Sequence, residues 1–173
     1  MKNGSWISPG AVVCDEREDL HKLTMKGNRA DLKNSVLAAF GLERASALFE
    51  SVIYATSPGD GSAREQAASC QRVLGGGANI CREFATKRYR SNCINWGMLP
   101  LEYKGEFEGE VGDFVLLKDI RKAVAEGKET VEGVLLSGGN KLSLSFSMPN
   151  LTEGERAIIL AGCLMNRYRE MKG

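Results

Sequence analysis

The residues whose types best suit chemistry lie together in residues 58–68, PGDGSAREQAA. Ser62 and Glu65 fit the S-x-x-E pattern of a capping box, in which two side chains satisfy the first backbone N–H groups of a helix. Arg64 falls in the first turn of that helix, where the helix dipole disfavours a cation. A guanidinium there suits a carboxylate ligand, which it can bind with two hydrogen bonds. The segment therefore has two interpretations, a plain helix cap or a binding site for an organic anion at a helix start.

Glycines in the same segment leave a dinucleotide-binding loop as an alternative. Gly59 and Gly61 follow the β-branched run of residues 52–56 and precede a helical pattern, as in the G-x-G-x-x-G fingerprint. Glu83 stands about twenty residues further on, where that fingerprint expects an acid. Arg64 occupies the position of the third glycine, which such a fold needs for close packing of helix on strand. This departure favours the anion site over the dinucleotide loop.

The cysteines and the single histidine are too scattered for most metal or redox sites. No two cysteines form a C-x-x-C pair, so a disulfide framework, a zinc site and a local iron–sulfur site are all disfavoured. His21 lies in the polar stretch DEREDLHK and is expected at the surface. We expect no metal and no cofactor on this chain. The last four cysteines are predicted to be small buried apolar residues: Cys70, Cys81, Cys93 and Cys163.

Length and composition are those of one folded domain. The 173 residues include 43% hydrophobic and 26% charged residues, which disfavours intrinsic disorder. The formal net charge is +1, so no overall field attracts a polyanion, and a dedicated nucleic-acid-binding protein is disfavoured. No run approaches about 18 apolar residues, and the start of the chain lacks the apolar stretch of a signal peptide. We expect a soluble cytoplasmic protein that does not enter a membrane.

Hydrophobic patterning predicts an α/β first half and a β-rich second half. Residues 52–56, the glycine loop and the helical pattern after it give the order strand, loop, helix that is typical of α/β units. Helical spacing predicts a further helix over residues 31–41, ended by a glycine. Thr152 and Glu155 fit a second capping box, which would open a terminal helix.

The domain organisation follows from the same patterns. Residues 1–30 are expected to be an irregular segment with one short strand at 11–13, and residues 31–173 one packed domain. Alternating apolar residues in KLSLSFS indicate a strand near the end of the chain. Residues 138–141, GGNK, are expected to form the hairpin turn before it.

Several separated blocks of the sequence resemble the swivel domain of the aconitase family. They span roughly residues 31–172 and occur in the family's order. This family includes aconitases, homoaconitases and isopropylmalate isomerases, and its loop typically reads G-S-S-R-E-H/Q-A. The first and last blocks are more similar to the carboxyl-terminal domain of single-chain aconitases than to the separate small isomerase subunit. The blocks are NSVLAAFG at 34–41, GSAREQA at 61–67, FATKRYRSNCINWGMLPL at 84–101 and AGCLMNRYREM at 161–171.

The resemblance implies a fold, an activity and a set of site residues. The fold is a swivel-type α/β domain with mixed sheets and flanking helices in β/β/α layers. The activity is that of a hydro-lyase that removes and re-adds water on a hydroxy di- or tricarboxylic acid. Ser62 matches the family's base, Arg64 its ligand for a substrate carboxylate, and Ala63 its second serine, of which only the backbone N–H is left. Ser5 stands where the family has an aspartate, and Arg17 is a weak match to a further substrate-binding arginine.

Ser62 is not expected to act as a base in this chain alone. A hydroxyl with a pKa near ~15 costs on the order of 11 kcal/mol to ionise at neutral pH. A helix start offers ~0.3–2 kcal/mol and a hydrogen bond to a charged group ~1.5–3 kcal/mol, less than half of that cost. The resemblance implies that a [4Fe-4S] cluster on a partner domain or large subunit supplies the rest.

A different functional class stays open from the sequence. The missing serine and aspartate favour a non-catalytic module that binds a small anion or assembles a complex, whereas Ser62 and Arg64 oppose it. The basic and aromatic residues of 87–96 are interpreted as a solvated helix face with aromatics packed beneath it, and the alternative is a contact surface for the partner domain or for RNA. An RNA partner is therefore not expected.

Overall fold

The computed structural model describes residues 6–14, 30–42, 48–110 and 112–172. Within them the chain forms seven strands and six helices. The strands are β1 (Trp6–Cys14), β2 (Leu48–Ala55), β3 (Gly76–Cys81), β4 (Leu99–Glu102), β5 (Phe114–Leu117), β6 (Thr130–Ser137) and β7 (Asn140–Ser147). The helices are α1 (Ala30–Phe40), α2 (Arg64–Val73), α3 (Lys87–Asn95), α4 (Ile120–Glu126), α5 (Glu153–Ala161) and α6 (Leu164–Lys172).

The strands close into one barrel in the order β1-β2-β3-β4-β7-β6-β5. Strands β2, β3 and β4 run parallel, with α2 and α3 as their crossovers, whereas β5, β6 and β7 pair antiparallel. This confirms a mixed α/β domain with flanking helices. Closure is not visible in the local patterning, because it depends on β1 pairing with both β2 and β5. A closed barrel leaves no open sheet edge.

The N-terminal part of the chain differs from expectation. Residues 6–14 form a nine-residue strand, longer than the strand predicted at 11–13 inside an irregular segment. The register with β2 shifts between Ser8 and Ala11, so the intervening Pro9 and Gly10 lie in an irregularity of the ladder. Proline lacks a backbone donor and glycine weakens a strand, so both are tolerated where the pairing is interrupted. The domain boundary after residue 30 stays a prediction.

Most of the remaining helix and strand predictions are confirmed with shifted ends, but the single terminal helix is not. The capping box of Thr152 and Glu155 opens α5 as expected. The terminal helical pattern is broken by Gly162, whose φ of +87° ends α5, and α6 follows as a separate helix. Residues 138–139 form the turn of the β6–β7 hairpin.

The core fills the barrel and the space beneath the helices. The largest cluster is lined by strand residues such as Ile80, Leu101 and Phe146, all fully buried, and by α4 and α5. A second cluster packs α1 against β2 and β5, and a third lies between α2 and α3. Across the residues described, no helix is both long enough and apolar enough to span a bilayer.

Candidate functional site

The site predicted from the sequence lies at the edge of the barrel where the parallel strands end. The ladder pairs Ala55 with Cys81, and Cys81 with Glu102, so β2, β3 and β4 finish at one level. Residues 56–63 lead from β2 into α2 at this edge. The backbone N–H groups of Arg82 and Glu83 both donate to the carbonyl of Thr56 at 3.2 Å. The loops after β2 and β3 are therefore joined side by side.

Gly59 is the centre of the loop that carries the predicted site. Its carbonyl accepts the Nε of Arg64 at 3.0 Å and the hydroxyl of Thr86 at 3.2 Å. Its φ of +92° favours glycine, and a Cβ added there would collide with the side chain of Tyr89. The loop conformation therefore depends on glycine at this position.

The capping box predicted for Ser62 and Glu65 is wrong. Helix α2 begins at Arg64, its N-cap residue is Ala63, and no side chain caps it. Glu65 does not reach back to the loop, because its Oε1 accepts the indole N–H of Trp96 at 2.7 Å. This tertiary hydrogen bond ties the first turn of α2 to the end of α3 and leaves the start of α2 without its local cap.

The three consecutive site residues have different surroundings. Ser62 and Ala63 are exposed, and the hydroxyl of Ser62 makes no hydrogen bond within the described parts of the chain. Arg64 is half-buried and is held through its Nε. The structure thus brings an exposed hydroxyl and an oriented guanidinium to one loop. Arg17, like Ser5 and His21, lies outside the described residues.

Thr86 and Trp96 support the site but are not among the residues predicted for it. Thr86 has two roles, since its hydroxyl caps α3 by accepting the N–H of Tyr89 at 3.2 Å and also donates to Gly59. The cap has a sequence signal, a threonine immediately before a helical segment. The contact between Trp96 and Glu65 has none, because 31 residues separate the two side chains.

The cysteines do not form a cluster site. Cys81 and Cys93 are fully buried, as predicted, and burial raises the pKa of each thiol from 9.0 to about 12. The prediction is wrong for Cys70, which is exposed on α2, and Cys163 is intermediate. No group of three or more histidine, cysteine or acidic side chains able to hold a metal occurs among residues that the structure describes. These thiols therefore do not fit a [4Fe-4S] cluster, which needs deprotonated cysteines grouped together.

Cys93 belongs instead to a buried polar contact under the loop. Asn79, which is fully buried on β3, donates to the sulfur of Cys93 at 3.3 Å and accepts the hydroxyl of Tyr89 at 3.5 Å. Burial also raises the pKa of Tyr89 well above its ordinary value. The contacts of Tyr89 with Asn79 and Gly59 connect the core to the loop that carries Ser62.

The fold and the loop together define a class, an α/β barrel that presents a serine and an arginine at the carboxyl ends of its parallel strands. Residues 25–106 match the family model of the aconitase C-terminal domain. This match confirms, for this part of the chain, the resemblance to the swivel domain of the aconitase family. The match includes the whole loop and ends before β5, so the resemblance of later residues stays a prediction.

Among the solved structures that match is 3-isopropylmalate dehydratase (leuD) from Methanocaldococcus jannaschii, with 26% identity and a TM-score of 0.45. The alignment covers 66% of this chain and 59% of that one, so this chain spans less than two thirds of its length. No curated protein sequence matches this chain.

Proposed function

We propose that this chain is the swivel domain or small subunit of an aconitase-like hydro-lyase. The enzyme would remove and re-add water on a hydroxy di- or tricarboxylic acid. Ser62 would take the proton next to the departing hydroxyl, and Arg64 would bind a substrate carboxylate. The proposal depends chiefly on one observation within the family match: the serine at the start of α2 caps nothing and is exposed beside an arginine.

Arg64 is suited to its proposed role by the way it is held. Its Nε donates to Gly59, which uses one of the five N–H donors of the guanidinium. The other four belong to the two terminal nitrogens, the pair that binds a carboxylate in bidentate geometry. Tethering through Nε lowers the conformational entropy that the side chain loses on binding substrate.

Ala63 would contribute its backbone alone. It is the N-cap of α2, and the N–H groups of the first turn follow directly after it. Charge that develops on a substrate near these groups would be stabilised by the positive end of the helix dipole. Since alanine lacks the second hydroxyl of the usual loop, we expect one fewer hydrogen bond to the substrate.

The remaining stabilisation would come from a partner. Four of this chain's cysteines do not fit a [4Fe-4S] cluster, and Ser62 has no basic side chain bonded to it within the described residues. The partner would be a cluster-bearing aconitase-like domain or large subunit, whose cluster would activate the substrate hydroxyl as a Lewis acid. Residues 56–63 would then form one wall of a site closed by that partner.

The test combines the full chain with a cluster-bearing aconitase-like large subunit and measures interconversion of hydroxy acids. Replacing Ser62→Ala should lower kcat by about 10²–10⁴-fold, the usual contribution of a general base. Arg64→Lys should mainly raise KM, because one ammonium cannot replace a bidentate guanidinium. Ser91→Ala is the matched control, since Ser91 is another exposed serine, on α3.

The outcomes separate the enzyme from the non-catalytic module. Unchanged turnover in Ser62→Ala would remove Ser62 as the base. Binding of citrate-like anions that requires Arg64, without turnover in any complex, would favour the anion-binding module. Loss of activity in the Ser91→Ala control would show that the assay reports stability rather than chemistry.

A further inference from the structure

A cleft lies at the opposite edge of the barrel from the loop that carries Ser62. Leu48, Gly77 and Leu99 line it, and these residues stand at or next to the first residues of β2, β3 and β4. Ser62 follows the other end of β2. Arg72 also lines the cleft, eight residues along α2 from Arg64, which corresponds to about 12 Å of helix. The cleft is therefore a separate place from the proposed catalytic site.

The walls of the cleft are mostly apolar. The cleft is open to solvent, and the space within it and at its mouth is about 460 Å³. Binding an aliphatic group against such walls is favourable, because it removes apolar surface from water. The apolar side chains are Leu48, Leu99, Ile120, Val124, Ile159 and Leu160.

Charged groups give the cleft a positive polar end. Glu50 and Arg72 form an ion pair of 3.0 Å, and only 11% and 14% of their side chains are exposed. Arg72 uses one nitrogen, Nη1, for Glu50 and for the carbonyl of Gly76. A Cβ at Gly77 would collide with the Glu50 carboxylate, so glycine is needed for the pair to pack against β3.

Arg121 supplies a positive charge in addition to the ion pair of Glu50 and Arg72. Its Nη2 donates to the carbonyl of Leu160 at 3.1 Å, and within the described chain it forms no ion pair. Among the lining residues that the structure describes, Glu50 balances Arg72, and Arg121 leaves one net positive charge. A half-buried guanidinium with unused N–H donors beside apolar walls is complementary to a ligand with one carboxylate and an aliphatic tail.

We propose that this cleft binds a short-chain aliphatic monocarboxylate. The carboxylate would accept hydrogen bonds from Arg121 and from the remaining donors of Arg72, and the tail would lie between Leu99, Val124 and Ile159. A dianion would bring a second negative charge into an apolar cleft in which, among the described lining residues, Arg72 is already paired with Glu50. The site is independent of the proposed reaction.

The experiment titrates the full chain with isovalerate and follows methyl NMR signals. We expect saturable shifts at Leu99, Val124 and Ile159, with no shift at Leu142, which is exposed on β7. Isoamyl alcohol has nearly the same shape without the charge, and we expect it to bind at least about tenfold more weakly. Equal binding of the alcohol, shifts elsewhere, or no saturation by about 10 mM isovalerate would overturn the proposal.

Variants of the arginine test the charge directly. Arg121→Gln should weaken isovalerate binding by at least about tenfold, and Arg121→Lys, which keeps the charge but not the guanidinium geometry, should weaken it less than Arg121→Gln does. The lysine variant keeps the test valid if the glutamine variant does not fold, because Arg121 also bonds the end of α5. Arg169→Gln on exposed α6 is the matched control. Unchanged affinity in folded Arg121→Gln would reject the site.

Discussion

Helices α2 and α5 begin with the same sequence pattern but with different structures. Ser62 and Glu65 precede and open α2, and Thr152 and Glu155 do the same for α5. At α5 the capping box is complete: Glu155 accepts the N–H of Thr152 at 2.9 Å, and Thr152 accepts the N–H of Glu155 at 3.2 Å. At α2 neither hydrogen bond forms.

Tertiary contacts of the two glutamates account for the difference. One carboxylate oxygen of Glu155 caps α5, and the other pairs with Arg90 at 3.1 Å. Glu65 instead accepts a hydrogen bond from the indole N–H of Trp96. A helix without its side-chain cap loses about 1 kcal/mol of stability, and the serine that does not cap it is exposed in a loop that lies within the family match. Natural proteins depart from a local stability rule, such as helix capping, chiefly at functional sites.

The largest effect is expected from a substitution that disturbs the conformation of the loop before α2. Gly59→Ala should lower the free energy of unfolding by roughly 3 kcal/mol, because it adds left-handed strain and overlap with Tyr89. Gly61→Ala is the matched control, since nothing lies within 4 Å of its added Cβ and its φ is ordinary. Urea denaturation measures both. Equal stability of the two variants would contradict the role of Gly59.

The next effect is a loss of stability at alkaline pH, which we expect from the thiol buried between α2 and α3. Burial raises the pKa of the Cys93 thiol from 9.0 to about 12, so above pH 9 the unfolded chain loses a proton that the folded chain keeps. The free energy of unfolding should therefore fall as pH rises from 9 towards 12, by up to about 1.4 kcal/mol per pH unit for each such thiol. Cys93→Ala should reduce this slope, and Cys70→Ala, at an exposed site, should not. An identical slope in both variants would disprove the assignment.

A smaller effect separates the two helix starts directly. Thr152→Ala should cost about 1 kcal/mol of unfolding free energy because it removes a working cap. Ser62→Ala should change stability by less than about 0.5 kcal/mol, as for an exposed side chain without partners. Thermal denaturation of both variants measures the difference. Similar losses would mean that Ser62 caps α2 in solution.

The smallest effect tests what holds Glu65 away from its local partner. Trp96→Phe removes the indole donor and keeps an aromatic ring, and should cost up to about 1 kcal/mol. With Glu65 released, we expect part of the capping box to form, so that a second change, Ser62→Ala, becomes destabilising in this background. A double-mutant cycle measures this coupling. Strictly additive effects would show that Trp96 does not suppress the cap.

Local pattern explains which predictions succeeded. The helix predicted over 31–41, the strand predicted over 52–56, the cap at Thr152 and the hairpin turn each depend on near neighbours, and each is present in the structure, the helix at 30–40 and the strand at 48–55. The strand at 6–14 was underestimated, since its pairing partners lie more than thirty residues away in sequence. The burial of Cys70 was wrong because a pattern of small residues does not show which side of a helix packs.

The sequence by itself determined the order of elements, the family of the central segment and the neighbourhood of Ser62, Ala63 and Arg64, because these are properties of contiguous residues. Only the tertiary structure decided that the barrel closes and that Glu65 accepts a hydrogen bond from Trp96 instead of reaching the loop. It also decided that the carbonyl of Gly59 accepts hydrogen bonds from both Arg64 and Thr86. The physical reason is that a polar side chain bonds the best partner that the whole fold offers. A motif of four residues contains no information about a partner 31 positions away.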